Sequence, residues 1–142
     1  MRLRFNIAGP CFPDEHYMLP ALDRLPGIRE LVAGGNYFVI HAPRQTGKTT
    51  ALKALVREIN EKGDMLAIYC TLETMQGACD PNVSNIAIRD LIADNAEMSP
   101  YYSAVPGAPE LRSDRGGIGL AIRTVLQNLC LAVKKPVVVF FR

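Results

Sequence analysis

The stretch of sequence that decides the fold lies at residues 37–50. It reads Tyr37-Phe38-Val39-Ile40-His41-Ala42-Pro43-Arg44-Gln45-Thr46-Gly47-Lys48-Thr49-Thr50. The first five residues are mostly aromatic or β-branched and do not alternate with polar residues, which is typical of a strand buried on both faces in a parallel sheet. From residue 48 to about residue 62 the apolar side chains recur at helical spacing, at Leu52, Leu55, Val56 and Ile59. The pattern therefore predicts a strand, a loop and a helix in direct succession.

The same reasoning continues along the chain. A second buried strand at 65–70 completes a strand–loop–helix–strand unit over 37–70, whose crossover is expected to be right-handed. Beyond it the periodicity predicts helices from Ser84 to about Asn95 and over 118–134, and a third strand over 137–141. Residues 98–117 are rich in proline and glycine and are predicted to be an exposed, flexible insertion. With 1–36 as a lead-in segment, we expect one α/β domain over 1–142.

Composition and charge exclude several classes of protein. The chain has 142 residues, of which 49% are hydrophobic and 21% charged, so global disorder is excluded. A formal charge of +2 provides no general field for nucleic acid or an acidic membrane surface. No apolar run is long enough to span a bilayer and no signal peptide is evident, which predicts a cytoplasmic protein. Two distant histidines, without a C-x-x-C pair, make a zinc site improbable.

The loop between the predicted strand and helix matches the phosphate-loop, or Walker A, pattern G-x-x-x-x-G-K-[ST], with Ala42 in place of the first glycine. Backbone N–H groups and the positive end of the helix dipole would hold phosphate oxygens, which a side chain at Gly47 would obstruct. The Lys48 amine would reach the β- and γ-phosphates, and the Thr49 hydroxyl would bind Mg²⁺. The predicted nucleotide-binding residues are Ala42, Pro43, Arg44, Gln45, Thr46, Gly47, Lys48, Thr49 and Thr50. The alternatives are a chance match in which the threonine only caps the helix, and an Arg44 side chain that is merely solvated.

With these residues the sequence resembles the AAA-like and STAND-like ATPases of the P-loop superfamily, whose signature is a hydrophobic strand followed by (A/G)PRQTGKT. The segment from Gly9-Pro10 through Tyr17 to Arg24 is also similar to the one that precedes the loop in those families. The resemblance implies a three-layer sandwich around a five-stranded parallel sheet of order 5-1-4-3-2, with strands 1, 2 and 3 at 37–41, 65–70 and 137–141. It also implies that Pro10, Tyr17 and Arg24 lie near the adenine and ribose, although Tyr17 could equally be a packing residue.

One position departs from the family pattern. The third strand of these ATPases is followed by an Asp that helps hold Mg²⁺ and a Glu that orients the attacking water. Arg142 occupies the Asp position here, and a cation there would repel Mg²⁺. No catalytic residue can be assigned from the sequence. We therefore expect a partial ATPase domain that ends before the Walker B acids.

These observations predict ATP and Mg²⁺ as cofactors of the N-terminal part of an AAA-like ATPase whose complete form hydrolyses ATP. The first alternative is a nucleotide-binding fragment without hydrolysis. A P-loop small-molecule kinase is a further alternative, although Arg123 and the Lys134-Lys135 pair are too sparse to suggest an acceptor site. Nucleotide is the expected partner, membrane and nucleic acid are not indicated, and a protein partner or oligomer stays unassigned.

Overall fold

The fold combines five α-helices and two β-strands in the part of the chain that the structure describes. A computed structural model of the chain describes residues 3–7, 14–44, 46–75, 77, 80–112 and 117–142. The elements are α1 (Ile28–Ala33), α2 (Lys48–Lys62), β1 (Leu66–Cys70), α3 (Pro81–Glu97), α4 (Pro100–Ser103), α5 (Ala121–Val133) and β2 (Val137–Phe141). They form two compact units, residues 1–54 and 55–142, and the boundary falls within α2. The α/β class is as predicted.

The sheet consists of β1 and β2, which pair in parallel with Leu66 opposite Val137 and Cys70 opposite Phe141. The ladder continues past the strand ends, where the Arg142 N–H donates to the Cys70 carbonyl at 2.9 Å. Both strands lie within a residue of their predicted bounds, because each is a short, continuously apolar run. Helices α3, α4 and α5 form the connection that two parallel strands require. The wider sheet and the three-layer sandwich stay predictions.

The core of the second unit lies between one face of the sheet and two long helices. Alternate residues of β1 point to this face and meet α3 and α5. Its buried members are Leu66, Ile68, Cys70, Ile92, Ala93, Ala96, Tyr102, Leu111, Val125 and Leu129. Helix α3 begins where the Asp80 carboxylate accepts a hydrogen bond from the Asn82 N–H at 2.8 Å and Pro81 fills the first helical position. The two helices that the periodicity predicted over 84–95 and 118–134 thus supply the helical side of this core.

The outer edge of β1 is closed by a side chain. The N–H groups of Leu66 and Leu72 donate towards β2, so those of the intervening odd-numbered residues, including Ala67, point the other way. The Asn60 amide of α2 donates to the Ala67 carbonyl and its oxygen accepts from the Ala67 N–H, both at 2.9 Å. Asn60 is buried, so these bonds satisfy groups that water does not reach. Asn60 thus takes the place of a neighbouring strand at this position.

The segment 98–117, predicted to be exposed and flexible, contributes to the core of the second unit. Tyr102 and Leu111 are buried in it, and the Tyr102 hydroxyl donates to the Pro109 carbonyl at 3.1 Å. Arg112 donates to both carboxylate oxygens of Glu97 on α3, at 2.8 and 2.9 Å. At these positions the segment is therefore held against α3, so the prediction of exposure is wrong there. Its flexibility stays a prediction.

The described part of the first unit has a small core formed by short elements and the first half of α2. Among the described residues of this unit, the buried apolar side chains are Leu22, Ile28, Val32, Ala51 and Leu52. Leu22 lies in a 3₁₀ turn at Ala21–Arg24, and α1 is a helix of six residues. Near the start of the chain a parallel bridge joins Arg4 and His16. Since short elements bury little apolar area, hydrophobic burial stabilises this unit only modestly.

The predicted strand at 37–41 is absent from the structure. Residues 36–43 have no regular secondary structure, and the side chains of Tyr37 and Val39 are almost fully exposed. A strand forms only where its backbone groups pair with a neighbour, and the described sheet contains β1 and β2 alone. The apolar character of this run therefore does not suffice to make it a strand, and the prediction is wrong here.

The length and hydropathy of each helix decide whether it could cross a membrane. Across the described ranges, no helix combines the length and the apolar character needed to cross a bilayer.

Candidate functional site

The candidate site is the loop that leads into α2. The Gly47 carbonyl accepts the first hydrogen bond of the helix, from the Ala51 N–H at 2.9 Å, so Gly47 is the residue that caps α2. Its φ of +81° is a conformation that glycine adopts without strain. The N–H groups of Lys48, Thr49 and Thr50 then have no partner within the helix. They form the kind of donor set that binds anions at a helix start.

The Lys48 side chain turns back and closes the loop. Its Nζ donates to the carbonyls of Ala42 and Pro43, each at 2.5 Å. An ammonium group has three protons, so two are used by the loop and one remains for a further acceptor. The amine is therefore positioned over the loop by the loop's own backbone.

The rest of the loop is braced in the same way. The Thr46 hydroxyl donates to the Pro43 carbonyl at 2.9 Å, so this carbonyl accepts from two side chains. Ala42 has a negative φ, which explains why a residue with a Cβ is tolerated where the motif usually has glycine. Arg44 and Thr50 are exposed. Gln45, also predicted to belong to the site, lies outside the described residues.

Thr49 is the predicted metal ligand. Its side chain is half-buried in the first turn of α2, and its hydroxyl makes no hydrogen bond within the described ranges. Nowhere in these ranges do three His, Cys, Asp or Glu side chains come together in a group that could hold a metal. A single hydroxyl suits a Mg²⁺ ion that arrives with phosphate oxygens, because Mg²⁺ is usually held by few protein groups plus phosphates and water.

The residues expected near the base by resemblance are only partly described. Arg24 ends the 3₁₀ turn of the first unit, and its Nη1 is 3.6 Å from the point that a Cβ on Gly47 would occupy. Tyr17 is exposed, and its ring centroid lies 5.0 Å from that of Phe5, also exposed. Pro10 lies outside the described residues. Of the three, Arg24 is the one that the described contacts bring to the loop.

In the second unit, Arg142 occupies the position where the resemblance expects an acid. Its guanidinium forms an ion pair with Glu73 at 3.0 Å, and both side chains are about half exposed. Its carbonyl accepts from the Leu72 N–H, so the backbone extends the sheet ladder. The side chain is therefore held by a carboxylate that follows β1.

Among the described residues, the groups with shifted pKa values lie in the second unit, and each shift has a structural cause. Burial raises the pKa of the Cys70 thiol to about 11, and burial followed by the charge of Glu97 raises that of Tyr102. Hydrogen bonding to Glu97 raises the pKa of Arg112.

An open, mostly apolar groove of about 810 Å³ runs along α5 from Ile122 to Leu131, and its chemistry does not suit phosphate. The loop before α2 is a better candidate site because its polar groups converge.

Sequence reasoning did not find two of these contacts. The resemblance placed Arg24 near the adenine and ribose, and it did not predict the approach of Arg24 to Gly47. The pairing of Arg142 with Glu73 depends on the parallel register of β1 and β2. For Arg24 and Arg142, the sequence showed a positively charged side chain but not the residue that it contacts.

No protein-family model, curated protein or solved structure matches this chain.

Proposed function

We propose that the chain binds ATP through residues 42–50, as the N-terminal part of an AAA-like ATPase whose complete form hydrolyses ATP. The observation that carries the proposal is the coincidence of the motif with the helix start. The glycine of the motif caps α2, and its lysine is the first residue of that helix. A chance Gly-Lys-Thr sequence would not require the lysine amine to fold over the preceding loop, as Lys48 does.

Each group of the loop has a distinct role in this proposal. The N–H groups of the first turn of α2 donate to phosphate oxygens, with the helix dipole adding to the attraction. The third proton of the Lys48 amine goes to a phosphate oxygen, while the carbonyls of Ala42 and Pro43 hold the amine in place. The Thr49 hydroxyl offers an oxygen ligand to the metal. When bound, Mg²⁺ supplies positive charge that offsets the charge of the phosphates.

The test is a binding titration with a fluorescent ATP analogue in the presence of Mg²⁺. We expect saturable binding that unlabelled ATP displaces and that Lys48→Ala weakens about 100-fold, because it removes a charge-assisted contact. The matched control is Lys53→Ala, which removes the same charge from an exposed position on the same helix. If both variants bind as the unaltered chain does, residues 42–50 are not the ATP site.

A second candidate function is nucleotide binding without hydrolysis. The observation that favours it is the Arg142–Glu73 ion pair, which commits the side chain at the expected acidic position to a carboxylate. Phosphate release from ATP by the purified chain distinguishes the two functions. Release that Lys48→Ala abolishes supports hydrolysis, whereas saturable binding with no release above the buffer rate supports the second candidate.

A further inference from the structure

Arg24 brings a second side-chain cation to the candidate loop. Its Nη1 lies 3.6 Å from the position of a Cβ built on Gly47, so the guanidinium covers the side of the loop on which Gly47 lacks a side chain. The 3₁₀ turn that carries Arg24 is anchored two residues earlier by the buried Leu22. The turn that carries Arg24 is therefore held by the core of the first unit.

The surroundings of Arg24 suit an anion. Its side chain is exposed, and within the described residues it pairs with no carboxylate. Gly47, which its guanidinium approaches, is the residue that caps α2, and the two described bonds of the neighbouring Lys48 amine go to neutral carbonyls. A guanidinium carries five N–H donors in a planar fork that matches phosphate oxygens. Among the described residues, no carboxylate is paired with either Arg24 or Lys48, so both cations are available to an anion.

We propose that Arg24 donates hydrogen bonds to the phosphate chain of the bound nucleotide and so sets the preference for the more highly charged form, ATP over ADP. This inference rests on the proposed function. It differs from what the family resemblance implies, which places Arg24 near the adenine and ribose. If Arg24 contacted the base, its contribution to the affinity would be the same for ATP and ADP and would hardly change with salt. If it contacts the phosphates, its contribution depends on their number and on the salt concentration.

The experiment compares Arg24→Gln with the unaltered chain in titrations of ATP and of ADP, at low and at high salt. We expect Arg24→Gln to weaken ATP about tenfold, to weaken ADP less, and to lose part of its effect at high salt. The control is Arg57→Gln, which removes the same charge from an exposed arginine of α2 that is paired with Glu61. We expect this variant to bind both nucleotides as the unaltered chain does.

A second variant and a folding control separate the effect of charge from an effect on folding. Arg24→Lys keeps the positive charge but lacks the planar guanidinium, so we expect it to lose less ATP affinity than Arg24→Gln. Thermal unfolding, followed by circular dichroism, checks that each variant is folded. Equal losses for ATP and ADP, a loss unchanged by salt, or equal losses in the two variants would overturn the proposal. If ATP binding is insensitive to Lys48→Ala, the proposed function fails as well. If binding depends on Lys48 and not on Arg24, this inference alone fails.

Discussion

The two units of the chain differ in how they are stabilised. Among the described residues, fourteen buried apolar side chains belong to residues 55–142 and five to residues 1–54. The second unit has a sheet covered by two long helices, whereas the described part of the first has a six-residue helix, a 3₁₀ turn and the first half of α2. The candidate loop nevertheless lies in the first unit. Binding groups and packing are therefore concentrated in different parts of the molecule.

This difference has a physical reason. A loop that binds phosphate must leave backbone N–H groups open, and open groups cannot also stabilise the fold. The second unit shows the opposite arrangement, since even the outward-facing groups of Ala67 are bonded, by Asn60. Segments that bind ligands come from the less stable parts of proteins for this reason.

The largest effect is expected from truncating the core of the second unit. Leu129 is fully buried among α3, α5 and β1, so Leu129→Ala should lower the free energy of unfolding by about 3–5 kcal/mol, through lost transfer energy and the cavity that it leaves. Leu22→Ala makes the same chemical change in the first unit, at a side chain that is 8% exposed and not 0% as Leu129 is, and should cost less, about 2 kcal/mol. Urea unfolding measures both. Equal losses would contradict the difference in packing.

The next effect concerns the edge of the sheet. Asn60→Ala leaves the buried N–H and C=O of Ala67 without partners, which should cost about 2–4 kcal/mol. Asn82→Ala, on the exposed start of α3, is the control and should change the stability by less than about 0.5 kcal/mol. Urea unfolding of both variants is the measurement. A loss no larger than that of the control would mean that water replaces the Asn60 amide.

The third effect is a pH dependence that arises from Cys70. Burial raises the pKa of its thiol from 9.0 to about 11, so between these values the unfolded chain loses the proton that the folded chain keeps. The unfolding free energy should therefore be unaffected by this group below pH 9 and fall between pH 9 and 11, by at most about 2.7 kcal/mol. Urea unfolding of Cys70→Ala should show a shallower decline over this range. Parallel declines in the two proteins would exclude Cys70 as the cause.

The smallest effect is expected at the carboxyl ends of the strands. Glu73→Gln removes the ion pair with Arg142, whose partners are about half exposed, and should cost less than about 1 kcal/mol. Raising the salt concentration should reduce the difference further, because exposed pairs are screened. Thermal unfolding at low and high salt checks both points. A loss of several kcal/mol would show that this pair supports the ladder.

The sequence allowed prediction of those parts of the fold that depend on local pattern. The runs at 66–70 and 137–141 are continuously apolar and form strands, and the helical stripe before Gly63 forms α2. The run at 37–41 has the same character, yet forms no strand because a strand also depends on a neighbour that the pattern does not contain. Burial of Leu111, within a segment rich in proline and glycine, likewise depends on contact with distant helices.

For the candidate site, too, the sequence predicted the local features and not the contacts between distant residues. The motif gave the position of the loop and the first residue of α2, because spacing and glycine are local properties. The bonds from Lys48 to Ala42 and Pro43 and the approach of Arg24 to Gly47 are properties of the folded chain. Residue types alone could not distinguish a phosphate contact from a base contact for Arg24.

The amide of Asn60 also has a consequence for self-association. Fibres built from sheets need two open edges on each copy, so that every added chain offers a new edge to the next. In this sheet Asn60 occupies the outer edge of β1 at Ala67, and no described third strand pairs with β2. A strand added at this edge would have to displace the Asn60 amide from Ala67. The side chain that completes the hydrogen bonds of one residue therefore also opposes growth of the sheet through the strand that it borders.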